Sequence, residues 1–297
     1  MNQNNLLSAS LIFSSVLIAG ALIYSAGLKT INSPESQSIN ASVSQSIFSA
    51  EEVIPANGVE LPVKWKNLGK QLVESGAIDA NKFEMLYESR GGLSNEEKNL
   101  LYGENNGNLT INSKNAGYIL NLLWAFGLAN KNEILENGPM NDSQYGGAQN
   151  FASTGGWTMS DGDAMNHYSK HQFIDLTSEQ QDLVARVSKN IYRPCCGNST
   201  YFPDCNHGMA MLGLLELMAS QGVSENDMYR VALIVNSYWF EDTYLTIAKY
   251  FQNRGISWKD VDAKEVLNSA YSSASGYQKI LEEVEPPKSQ GGGGCGV

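Results

Sequence analysis

Residues 113–130, SKNAGYILNLLWAFGLAN, carry a single charge, at Lys114. A helix over this stretch is apolar nearly all round, so it offers no face to water and belongs at the centre of a core. Its run of about 14 apolar-leaning residues is too short to cross a bilayer, which takes ~20. A second such stretch follows Asp204, an N-cap residue placed just after Pro203. From Cys205 to Gln221 it contains Met209, Met211, Leu212, Leu214, Leu215, Leu217 and Met218, and Gly222 closes it. Two helices of this kind have to be enclosed by other elements.

Helix signals recur through the rest of the chain. The segment 63–76 (VKWKNLGKQLVESG) reads as helical and stops at Gly76. Ser94 with Glu97 and Thr177 with Gln180 both have capping-box spacing. After Thr177, the residues Leu183, Val184, Val187 and Ile191 share one face. Ser224 opens a long helix through Trp239, with more helix over 241–253 and shorter pieces from Val261 to Leu281. No period-two alternation stands out, and no internal repeat. Residues 56–285 are therefore expected to form one mainly α domain.

Residues 1–28 contain no charged side chain, and the run from Leu6 to Gly27 is long enough to span a bilayer. A cleavable signal usually has a basic start and a core of roughly 7–15 apolar residues. Here the start is MNQNN and the run is longer. An uncleaved signal anchor, a transmembrane helix over 1–28, is the expected reading. Residues 29–55 are rich in Ser, Asn and Gln and read as a flexible linker; 286–297 read as a Gly-rich flexible tail carrying Cys295. The expected architecture is a single-pass protein of the cell membrane, its helical domain facing outside the cytoplasm. The membrane, reached through the N-terminal helix, is its expected partner. A net charge of −11 excludes nucleic acid, which needs basic patches.

Three histidines and four cysteines are all the chain has, and six of the seven lie between His167 and His207. Thiolate and imidazole are the side chains that best bind transition metals. His167 and His171 stand four apart, and on a helix both rings would leave one face. Tyr168 stands where a zinc protease would carry its glutamate, which disfavours that reading. Cys205 and His207 fall in the first turn of the second apolar helix, where an anion is stabilised and a thiol ionises more readily. Adjacent Cys195 and Cys196 can reach Cys205 across a short loop. The Gly-rich loop over 138–163 runs into the histidine pair and is long enough to cover an ion.

Three readings stay open. Cys195, Cys196, Cys205 and His207 bind zinc or copper, with His167 and His171 completing the same site or forming a second. Alternatively, Cys205 is the reactive thiolate of a thiol–disulfide redox protein, although no C-x-x-C or βαβ pattern accompanies it. Or a disulfide staples the loop of a structural or interaction protein. Outside the cytoplasm free thiols oxidise or sit under a metal, so each reading agrees with export.

The pieces Pro194-Cys195, Cys196-Gly197 and Asp204-Cys205, followed by a helix, resemble the PCYCGC-motif family of exported, membrane-attached bacterial proteins. The intervening residue and the third closely spaced cysteine of that family are missing here. The sequence as a whole is similar to uncharacterised membrane-anchored exported proteins of uncultured bacterial lineages. These resemblances imply an exported Cys/His protein that handles metal, and no particular reaction.

Overall fold

The structure, a computed structural model, describes residues 49–287. The transmembrane helix expected over 1–28 lies outside them, as does Cys295. Among the described residues no helix is long and apolar enough to cross a membrane. Of the expected linker, only 49–55 is described. It is packed: Val53 and Ile54 are buried, and the Tyr238 hydroxyl donates to the Pro55 carbonyl at 2.7 Å.

The described chain is mainly helical, as expected, and adds a small sheet. In order it runs α1 (Ala50–Val53), β1 (Val59–Lys66), α2 (Leu68–Glu74), α3 (Ala80–Glu88), α4 (Asn95–Tyr102), β2 (Asn106–Ile111), α5 (Ala116–Ala129) and α6 (Glu133–Asn137). Four short 3-10 turns cross the region between Pro139 and Asn166. Then come α7 (Ser178–Ser188), α8 (Asn206–Ser220), α9 (Glu225–Trp239), α10 (Glu241–Gln252), α11 (Ala263–Val266), α12 (Ser269–Ser272) and α13 (Ala274–Leu281).

The two apolar stretches form the centre. Nearly every residue of α5 and α8 is buried, and each packs against the other along its length. They lie side by side and run the same way. Leu123 and Gly127 meet Met209 and Gly213, Asn130 bonds Glu216 beyond them, and at the opposite end the Trp239 ring joins Ala116 to His207. Glycines make the approach possible. A Cβ on Gly127 would lie 2.3 Å from the Met209 carbonyl oxygen, and one on Gly213 would lie 2.7 Å from that of Leu123. Both are backbone atoms of rigid helices and cannot turn aside.

The capping boxes at Ser94/Glu97 and Thr177/Gln180 are present, and Ser224 caps α9. The segment from residue 63 differs from its helical reading. Its first residues belong to β1, where Leu61, Val63 and Trp65 face the core while Glu60, Pro62 and Lys64 face out. That is a period-two pattern. Pro62 has no N–H to give a partner, and it sits where the antiparallel register with β2 slips between Glu60 and Lys64. Only Leu68–Glu74 is helical.

Glu216, midway along α8, is completely buried. One carboxylate oxygen accepts from Asn130 Nδ2 at 2.6 Å; the other has no hydrogen-bond partner, nor has Asn132 Nδ2 nearby. Burial pushes the carboxyl well above the usual range, and the Asn130 and Asn132 amides offset only part of this.

Two measurements check this core. Gly127→Ala gains up to about 1 kcal/mol of helix propensity, but overpacking costs roughly 1–3 kcal/mol or more. Urea unfolding should show a net loss of about 2 kcal/mol. Glu216 holds its proton more tightly in the fold than in the unfolded chain, so it makes the fold lose stability as pH rises from about 4.3 toward the folded value. Glu216→Gln removes that slope. Its stability relative to the parent should rise by up to about 1.4 kcal/mol per pH unit over this window, with little change in the difference below pH ~4.

Candidate functional site

The segment from Tyr192 to Asp204 crosses from α7 to the start of α8 and is pinned by Arg193, its only basic residue. The guanidinium is almost completely buried, at 1% exposure. Its Nε donates to Cys205 Sγ at 2.9 Å, Nη1 to the Asn198 carbonyl at 3.0 Å, and Nη2 to the Phe202 carbonyl at 3.1 Å and to the Asp204 carboxylate. One side chain thus ties both ends of the cysteine loop to the helix start. Gly208 makes the room: a Cβ there would lie 2.5 Å from Cζ of Arg193.

Cys205, rather than Asp204, is the N-cap of α8. Its Sγ accepts from the Gly208 amide at 3.4 Å, while the Asp204 carboxylate turns to Arg193 and to Asn198 Nδ2. The expected cap was displaced because a buried guanidinium needs a carboxylate more than a helix end does.

Around this cap the side chains converge. Donor atoms of Cys195, Cys205 and His207 lie within 4.8 Å of one another, and so do those of Cys196, Asp204 and Cys205. Cys195 Sγ and Cys205 Sγ are 3.6 Å apart. All three cysteines are free: Cys195 is exposed, and Cys196 and Cys205 are half-buried. Hydrogen bonds from Cys195 and Cys196 push the Cys205 thiol far down, helped by His207 and the Arg193 charge and opposed by desolvation. Cys195, sharing its proton with Cys196 and Cys205, is pushed up. Burial alone would lower the Arg193 guanidinium, but the sulfurs of Cys205 and Cys196 and the Asp204 carboxylate more than offset it, and its pKa rises. The cap therefore favours the thiolate form of Cys205, set against a buried cation. Cys196 also lies 3.9 Å from the Asn198 carbonyl and the Asp204 carboxylate; Cys195 pulls its pKa down, but the bond to Cys205 and burial outweigh this and the thiol is pushed up.

His207 is buried against Phe240 and Trp239, with ring centroids 4.3 and 5.8 Å away. Asn206 and His207 also form one wall of a cavity of about 950 Å³, which reaches across the starts of α4 and α5 and along β2. Its asparagines serve the fold. Asn106 donates to three backbone carbonyls, and Asn112 and Asn115 cap each other's turns.

His167 and His171 do not join this cluster, and they are not helical. A 3-10 turn, Ala164–Asn166, precedes them, and Ser169 has a φ of 53°. The reason lies at the end of α5, whose last carbonyls lack helical partners. Ser169 N–H donates to Leu128 O and His171 N–H to Ala129 O, while Asn130 Oδ1 takes the amides of Phe173 and Ile174. Asn130 bonds Glu216, eleven residues along α8 from Cys205, or about 16 Å at the helical rise. The rings still meet. His167 Nδ1 and His171 Nε2 are 3.0 Å apart, and His167 Nε2 faces the Asp161 carbonyl at 3.0 Å. A carbonyl only accepts, so His167 carries its proton on Nε2 and takes a hydrogen bond from His171 on Nδ1. Burial, then the neighbouring His167, lowers the His171 pKa. Among the described residues, neither ring belongs to a group of three metal-binding donors.

The 138–163 loop packs on the cysteine loop. Tyr145, Phe151 and Phe202 form a triangle with centroids 5.3–5.4 Å apart, and the Ser153 amide donates to the Asp204 carbonyl at 3.2 Å. Comparison with known proteins gives no match to any family model, curated protein or solved structure.

Gly208→Ala tests the seating of Arg193. The guanidinium is the far end of a flexible side chain, but it is held by four acceptors, and moving it breaks a buried ion pair. The variant should lose about 3 kcal/mol in chemical unfolding, and Cys205 should react more slowly with iodoacetamide at neutral pH as its thiolate loses the cation.

Proposed function

We propose that this protein binds one thiophilic transition-metal ion, zinc or copper, through Cys195, Cys205 and His207, with Cys196 or Asp204 able to fill a fourth position. The observation that carries this reading is the convergence of two sulfurs and an imidazole within 4.8 Å at the capped start of a buried helix. The spacing suits the chemistry. Zinc–sulfur bonds of about 2.3 Å at the tetrahedral angle put two sulfurs ~3.8 Å apart, close to the 3.6 Å between Cys195 and Cys205. Soft sulfur with imidazole equally suits Cu(I). Two thiolates and a neutral imidazole leave zinc without net charge, and the Arg193–Asp204 pair beside them is self-neutralising. His207 is fixed by the Phe240 and Trp239 rings, so that donor is preorganised.

The uncharged run over 1–28 supports a membrane anchor with the metal-binding domain outside the cytoplasm. A fixed metal would also protect these thiols from oxidation there.

The test is metal content of the reduced full chain after loading with Zn(II) and, separately, Cu(I). About one equivalent of one metal should be retained through gel filtration. Cys205→Ser and Cys195→Ser should abolish retention, His207→Ala should weaken binding by at least tenfold, and His171→Ala should leave it unchanged. Retention that survives Cys205→Ser, or no stoichiometric metal in the parent chain, would sink the proposal.

A further inference from the structure

The cap of α8 holds more than a set of ligands: the thiols of Cys195 and Cys205 are unequal in access and in the groups that touch them. Cys205 is half-buried, with Arg193 Nε at 2.9 Å and the Gly208 amide at 3.4 Å on its sulfur. Cys195 is exposed, and its sulfur stands 3.6 Å from that of Cys205. A disulfide between them would show solvent the Cys195 sulfur and keep the Cys205 sulfur against a buried cation. In thiol–disulfide exchange, the sulfur that can be reached is attacked, and the one best stabilised as a thiolate leaves. Stabilising the reduced form makes a disulfide an oxidant.

We propose that the metal-free site is a disulfide donor to dithiols on other polypeptides, with Cys195 as the attacked sulfur, Cys205 as the leaving thiolate and Arg193 as the residue that positions and stabilises it. A substrate thiolate attacks Cys195 Sγ and forms a mixed disulfide. The Cys195–Cys205 bond breaks, and its electron pair stays on Cys205 against Arg193 and the Gly208 amide. The second substrate thiol gives its proton to water and attacks the first substrate sulfur. Cys195 is expelled and takes up a proton. The substrate loses two electrons and gains a disulfide; the protein gains two electrons and ends as a thiol and a thiolate. The oxidant that recharges the pair is a low-molecular-weight disulfide such as oxidised glutathione, which leaves as one thiol and one thiolate, the latter protonated by water. Cys195 rather than Cys196 is the partner, because its sulfur is exposed and 3.6 Å from that of Cys205, whereas Cys196 is half-buried beside the Asn198 carbonyl and the Asp204 carboxylate. The exchange uses the thiols of the proposed metal site but does not require that a metal ever binds there.

The test equilibrates the EDTA-treated full chain with reduced and oxidised glutathione and maps the bonds after acid quenching. A Cys195–Cys205 disulfide is expected, with Cys196 free. The oxidised protein should oxidise a reduced two-cysteine model peptide at neutral pH, and Cys195→Ser should lose this transfer. Arg193→Lys should raise the equilibrium constant for disulfide formation about tenfold, a potential about 30 mV more negative. Asp204→Asn, which removes the competing anion beside Arg193, should lower that constant severalfold. A Cys196–Cys205 disulfide in place of the expected one, no transfer to the peptide, or an unmoved constant in Arg193→Lys overturns the proposal. If Arg193→Lys does not fold, Asp204→Asn decides alone, and a constant that is unchanged or raised overturns it. Metal content is measured on the same preparations, so a chain that exchanges disulfides without binding metal keeps this proposal and loses the other. A chain that binds metal without exchanging disulfides does the reverse.

Discussion

The contact between α5 and α8 is the constraint on which the rest of the structure depends. Two helices that are apolar nearly all round can be buried only if they also bury each other, and their closest approach is fixed by Gly127 and Gly213 meeting backbone rather than side chains. Once that crossing is set, little freedom remains at either end. At one end the open carbonyls of α5 recruit the His167–His171 segment. At the other, Trp239 ties Ala116 to His207, and the cap of α8 takes its place at the rim of the core. The candidate site is the exposed end of the most deeply buried element, which is how a surface thiol acquires a rigid setting.

Arg193 does for the cysteine loop what the glycines do for the helices. A buried guanidinium is stable only when its donors are met, and it meets them with two carbonyls, a carboxylate and a sulfur from the middle and the C-terminal end of the loop. Loop conformation and thiol chemistry are thereby set by the same side chain. The aromatic triangle of Tyr145, Phe151 and Phe202 packs the 138–163 segment against the loop.

Much of this was legible in the chain. The buried helices followed from their scarcity of charge, and the caps at Ser94, Thr177 and Ser224 from local spacing. Cys195, Cys205 and His207 converge as the clustering of rare ligand types suggested. What escaped was set by tertiary contacts. Pro62 obscured a strand whose alternation is plain once Trp65 is known to face inward. The i, i+4 spacing of His167 and His171 promised a helix, but the unsatisfied carbonyls of α5 outcompeted it, and the rings met by another route. Asp204 looked like a cap until Arg193 claimed it. Arg193 left one signal, as the only basic residue in an otherwise uncharged or acidic stretch around the cysteines.

The parallel course of α5 and α8 has an electrostatic consequence. In an antiparallel pair the helix dipoles cancel, whereas here they add. Each helix carries about half a positive charge at its N-terminus, and both N-termini lie at the end of the core where Ala116, Trp239 and His207 meet. A protein whose net charge is −11 thus has an interior pole of the opposite sign, supplied by peptide groups that no change of pH can titrate, and the thiolate of Cys205 sits at that pole.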